Sequence, residues 1–135
     1  MIFIDTSVLS LAFRRRAKPD PEPPLVRTFR RLVDEDQPVA IPGIVLQELL
    51  SGVRTEDDFA RLLDILDGFP IVQATRAHHV AAAKISNACR QAGISASAVD
   101  CLIAAMTVET DAKLLTADED FSRMAQHCDL QFYES

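Results

Sequence analysis

Short apolar runs alternate along this chain with longer stretches of helical periodicity. Met1-Ile-Phe-Ile-Asp5 is an apolar run closed by a carboxylate, and Val39-Ala-Ile41, Pro70-Ile-Val72 and Lys113-Leu-Leu-Thr116 are runs of the same kind. They are too short for helices, so they read as buried strands. Leu130 to Tyr133 reads as a further strand at an edge. Thr6 to Phe13 predicts a short helix. Leu25 to Asp36 predicts an amphipathic one, with Leu25, Val26, Phe29, Leu32 and Val33 on one stripe and Arg27, Arg30 and Arg31 away from it.

Pro42 suits the first turn of a helix that runs to Ser51, with Gly52 at its end. Thr55 to Leu66 opens on Thr-Glu-Asp-Asp, which places acids at the positive end of the helix dipole. An Ala-rich helix follows from Thr75 to Ala92, then an apolar one from Ser97 to Thr110, and a last one from Asp118 to His127. Arg14 to Pro24 carries Pro19, Pro21, Pro23 and Pro24 and predicts a loop. Strands alternating with helices imply an α/β fold: a parallel sheet covered on both faces, in one domain spanning residues 1–135.

Composition narrows the class. A chain of 135 residues with 48% hydrophobic and 25% charged residues fits one soluble globular domain. A signal peptide is not expected, because Asp5 interrupts the apolar start and Arg14, Arg15 and Arg16 follow it. No apolar run approaches a membrane span. Cys89, Cys101 and Cys128 are odd in number and form no C-x-x-C, so no disulfide framework or zinc site is expected; Cys89 and Cys101 read as small core hydrophobes, and a reducing cytoplasm fits best. The net charge of −6 weighs against a nucleic-acid partner, yet its distribution is uneven. Of 14 Lys and Arg, half fall between Arg14 and Arg31, including Lys18, whereas Glu109, Asp111, Asp118, Glu119 and Asp120 make the C-terminal part acidic. One basic region and one acidic region could coexist in a metal-dependent nuclease; a solvated helix face explains the arginines equally well.

Four carboxylates carry the chemical signal: Asp5, Glu48, Asp100 and Asp118. Each sits in an apolar segment, where a charge is costly unless paired or metal-bound. A parallel sheet brings the ends of such segments to one edge. Clustered there, the acids call for a divalent cation. Each has a structural alternative. Asp5 suits a helix N-cap. Asp100 in Ser97-Ala-Val-Asp100 and the acids of Thr116-Ala-Asp-Glu119 have capping-box spacing, and Asp120 suits a first helical turn. Glu48 lies mid-helix among Ile44, Val45, Leu46, Leu49 and Leu50, with a narrow face shared with Gln47 and Ser51 as its alternative.

Ile-Phe-Ile-Asp5-Thr-Ser, Pro42-Gly-Ile-Val-Leu-Gln-Glu48-Leu, Ser97-Ala-Val-Asp100-Cys-Leu-Ile-Ala-Ala105 and Leu114-Leu-Thr-Ala-Asp118-Glu-Asp120-Phe121 resemble, in order, the four acidic motifs of PIN-domain ribonucleases. The resemblance spans essentially the whole chain and is nearest to VapC-type toxins of toxin–antitoxin pairs. It implies a three-layer α/β/α sandwich and hydrolysis of RNA phosphodiesters. By the same resemblance, Asp5, Asp100 and Asp118 would hold one or two Mg²⁺ or Mn²⁺ ions, with Glu48 and Asp120 as further acids. Thr6 or Ser7, and Thr116, would orient the first and last acids. It also implies a VapB-type antitoxin that covers the acidic site, and a homodimer. Val45, Leu46 and Leu49, or Phe59, Leu62 and Leu63, are candidate contact faces, with core burial as the alternative.

Arg14, Arg15, Arg16 and Lys18 are candidates for RNA phosphate contacts. His78, His79 and His127 lie away from the acidic motifs and read as structural. A receiver-type phosphoacceptor would want paired acids after the first strand, and a haloacid-dehalogenase-like phosphatase a second Asp where Ser7 stands. A PIN-like module that only binds protein or RNA is the remaining alternative.

Overall fold

The computed structural model describes residues 1–14 and 21–134. Its centre is a four-stranded parallel sheet in the order β3-β2-β1-β4, formed by β1 (Ile2–Ile4), β2 (Val39–Pro42), β3 (Ile71–Val72) and β4 (Lys113–Leu115). Phe3 pairs with Ala40 on one side and Leu114 on the other. β1 and β4 are nearly wholly buried, as a sheet covered on both faces requires.

The chain steps outward from β1 to β2 to β3, then returns across the sheet to β4. The helices of the outward crossovers are α1 (Thr6–Leu9), α2 (Pro24–Asp34), α3 (Gly43–Leu50) and α4 (Glu56–Leu66); those of the return are α5 (Arg76–Gln91) and α6 (Ala98–Glu109). Right-handed crossovers in opposite directions place the two sets on opposite faces, which gives the three-layer α/β/α sandwich. A short α7 (Asp120–Met124) follows β4. The strand order reverses between β1 and β4, and the crevice beyond their C-terminal ends is where such sheets bind ligands.

Several element ends differ from the sequence reading. The first helix passes at Ser10 into a π turn that reaches Arg14. There Phe13 meets Phe29 edge-on, with ring centroids 5.8 Å apart. Pro42 is the last residue of β2 and the N-cap of α3, outside the first helical turn. The second helix stops at Asp34 because Asp36 turns left-handed, at φ 54°. The last helix is only Asp120–Met124, and the strand expected from Leu130 to Tyr133 is reduced to one parallel bridge between Leu114 and Phe132.

Burial also sorts the candidate contact faces. Val45, Leu49 and Leu62 belong to the core, whereas Phe59 and Leu63 are exposed. Cys89 and Cys101 are buried and free. His78 completes a capping box with Thr75: its Nδ1 accepts the Thr75 N–H at 3.0 Å. No helix among the described residues is long and apolar enough to cross a membrane.

Candidate active site

Asp5 stands one residue beyond β1, and its N–H still bonds to Leu115 O of β4 at 3.0 Å. The ladder therefore places this carboxylate at the point where strand order reverses. Asp5 is also the N-cap residue of α1, but its side chain makes no cap bond. Instead its Oδ2 accepts from Ser7 Oγ and from Thr116 Oγ1, both at 2.8 Å. Asp5 is buried. Among the described residues these bonds fall on one oxygen, which leaves Oδ1 for a cation.

Thr116 follows β4 directly and works in two directions. It donates to Asp5, and its oxygen accepts the Asp118 N–H at 3.0 Å. Asp118 Oδ1 in turn accepts the Asp120 N–H at 2.9 Å. The capping box expected from Thr116 to Glu119 is not formed, because Glu119 itself is the N-cap of α7 and contributes no side-chain bond. These hydroxyl and carboxylate bonds span two residues, not three. They fold the segment after β4 into successive turns that aim its acids.

Asp100 opens α6. Ser97 Oγ accepts the Asp100 N–H at 3.0 Å, so Ser97 supplies the cap. The Asp100 carboxylate lies near those of Asp118 and Asp120: one oxygen from each falls within 4.8 Å of the others. Glu48 enters from α3, where its Oε1 accepts from Thr6 Oγ1 at 2.8 Å. The narrow exposed face imagined for Glu48 is thus a bond to the helix that follows Asp5.

The electrostatics tie the set together. The Asp100 carboxyl is pushed up to about 6, first by burial and then by the charges of Asp118 and Asp5, with Glu48 adding less. The bond with Ser97 pulls the other way. All four sequence-predicted acids therefore act in one field. Asp120 joins Asp100 and Asp118 more closely than its place in a first helical turn suggested, and it is paired with Arg123 one turn on. That ion pair and the bond between Thr6 and Glu48 were missed from sequence. Arg123 at i+3 from Asp120 was the available signal for the first.

Arg14 lies at the end of the π turn, exposed. Arg15, Arg16 and Lys18 fall outside the described residues.

This geometry coincides with the comparisons to known proteins. The PIN-domain family model matches residues 2–126. Ribonuclease VapC11 of Mycobacterium tuberculosis and VapC ribonuclease Mb1587 of Mycobacterium bovis are each 32% identical over 133 residues, covering 97% of this chain and 96% of theirs. The chain belongs to the PIN-domain family of VapC ribonucleases. Among solved structures, VapBC2 from Rickettsia felis, bound to a DNA fragment from its promoter, is similar with a TM-score of 0.77 at 22% identity, over 98% of both chains. FitAcB from Neisseria gonorrhoeae gives 0.76 at 21% identity, over 99% of this chain and 97% of that one. These likenesses bear out the sandwich fold.

The receiver and dehalogenase-like alternatives have no place in a PIN domain. The reading as an inactive module also finds no support, since each of the four acidic motifs keeps its carboxylate.

Proposed function

We propose that this PIN domain is a divalent-metal-dependent endoribonuclease and the toxin of a type II toxin–antitoxin pair. The observation that carries the reading is the convergence of Asp100, Asp118 and Asp120 within 4.8 Å, beside the held carboxylates of Asp5 and Glu48. Hard oxygen ligands in that number suit Mg²⁺ or Mn²⁺. Oxygens of three carboxylates gathered this closely would share one such cation. Asp5, Asp100 and Asp118 would hold the ion or ions, with Asp120 and Glu48 binding directly or through water. When bound, the metal supplies Lewis-acid activation of water and offsets charge on the phosphoryl group.

The chain's own residues set the stage for that chemistry. Ser7 and Thr116 keep Asp5 from rotating, and Thr6 does the same for Glu48. No nearby histidine is required as a base, since His78 is spent on its helix cap. Burial first, and then the charges of Asp118 and Asp5, raise the Asp100 carboxyl, a cost that a bound cation would offset.

RNA is the substrate in this reading, with Arg14, Arg15, Arg16 and Lys18 as phosphate contacts. A VapB-type antitoxin is the partner in this reading, supported by neighbours solved as VapBC complexes, and a basic side chain from it would suit the acidic site. A homodimer would use exposed apolar side chains such as Phe59 and Leu63. The cytoplasm is the expected location.

The test is cleavage of total RNA with Mg²⁺ or Mn²⁺, with chelator, and by Asp100→Asn. Fragments that vanish with chelator and in the variant are expected. Cleavage that survives both would place the chemistry elsewhere.

A further inference from the structure

Beyond the acidic site, a cavity of about 250 Å³ lies among the π turn, the end of α3 and the start of α4, lined in part by Arg14, Gly52, Arg54, Asp58 and Arg61. Among the described residues that line it are three arginines and one carboxylate, an excess of positive charge in a chain of net −6. Arg61 is anchored by a bond from Nη2 to Phe13 O at 3.2 Å. Its buried Nε has no hydrogen-bond acceptor among the described residues and stands 4.0 Å from Asp58 Oδ1. Ser51 leaves α3 with an extended backbone, Gly52 turns left-handed at φ 83°, and Arg54 beyond them lines the same cavity as Arg14.

We propose that this cavity is a phosphate subsite for the RNA strand, seating a backbone phosphate that flanks the one at the acids. The inference rests on the ribonuclease reading above. Guanidinium forks match phosphate oxygens two at a time. The position fits as well: α1, which follows Asp5 and bonds Glu48 through Thr6, runs into the π turn that ends at Arg14, and Gly52 lies two residues beyond the helix that carries Glu48. A polyanion approaching an acidic protein needs a local cationic hold, and a strand can place one phosphate at the metal-loaded acids and another among the arginines.

The test is fluorescence anisotropy with a labelled single-stranded RNA, in chelator so that nothing is cut, over a range of salt. The proteins are wild type, Arg14→Ala with Arg54→Ala, Arg61→Gln, and Asp100→Asn. Circular dichroism melts confirm that each is folded, and the exposed pair keeps the test open if Arg61→Gln unfolds. Losing one phosphate contact should lower the log–log salt slope by about 0.7 and weaken binding about three- to tenfold at low salt. Asp100→Asn should keep the wild-type slope.

An unchanged slope in the arginine variants, or no RNA binding by wild type, overturns the subsite. So does a polyglutamate probe that needs the arginines while RNA does not. Failure of the ribonuclease reading looks different: the arginine-dependent slope persists, but Mn²⁺ yields no cleavage.

Discussion

Thr116 and Asp5 are 111 residues apart in sequence, and the threonine hydroxyl donates to the aspartate Oδ2 at 2.8 Å. One hydroxyl thereby joins the ends of β1 and β4, the two strands between which the sheet order reverses. The same oxygen accepts the Asp118 N–H, so Thr116 positions two acids of different motifs.

Thr116→Val keeps the shape and removes both bonds. Because Asp5 is buried and would lose one of its two hydroxyl donors, the variant should lose about 1–3 kcal/mol of stability in urea unfolding. Cleavage should fall about tenfold or more, as for other residues that orient metal ligands. Equal stability and activity would mean that Ser7 alone holds Asp5.

Thr6 and Glu48 should behave as a coupled pair. In a double-mutant cycle of Thr6→Val and Glu48→Gln, read by Mn²⁺ affinity, the coupling should be at least about 0.5 kcal/mol. Additive effects would show that the bond does not orient Glu48 for the cation.

The Asp100 carboxyl gives a pH signature whose sign is fixed. An unfolded aspartate titrates near about 3.9, and in the fold Asp100 is raised to about 6. Between those values the folded chain keeps a proton that the unfolded chain has lost. Stability without metal should therefore fall as pH rises through that window, relative to Asp100→Asn. Cation affinity should run the opposite way, weakening as pH drops below about 6, because a proton competes for the ligand. Thermal melts and Mn²⁺ titrations from about pH 4 to 7 check both signs. Parallel profiles for wild type and variant would remove Asp100 as the source.

Arg123 and Asp120 are paired, so in the proposed site Arg123 would compete with a cation for that carboxylate. Arg123→Gln should tighten Mn²⁺ binding several-fold, an effect that fades as salt screens the pair. Unchanged affinity would mean that Asp120 does not contribute to the ion.

The strands and the four principal acids were legible because each leaves a local mark. An apolar run ending in a carboxylate is unusual, and so is a glutamate set among Val45, Leu46, Leu49 and Leu50. What the sequence does not disclose is pairing across the fold. Nothing near Glu48 announces Thr6, because their meeting depends on how α3 packs against α1. Thr116 misled because capping-box spacing is a local rule, whereas its hydroxyl answers to a strand 111 residues earlier. The π turn at Ser10–Arg14 differs from an α-helix only in hydrogen-bond register, which composition does not encode. Asp36 adopts a left-handed backbone that aspartate tolerates better than most residues, a cue available but weak beside the helical stripe before it.

The most direct test of the account is Mn²⁺ binding by calorimetry, for wild type, Glu48→Gln and Asp118→Asn, each checked for fold. It does not depend on finding the right RNA. The account predicts saturable binding by wild type that weakens in both variants, since residues 70 positions apart serve one site. No saturable binding by folded wild type, or binding indifferent to both substitutions, would contradict it.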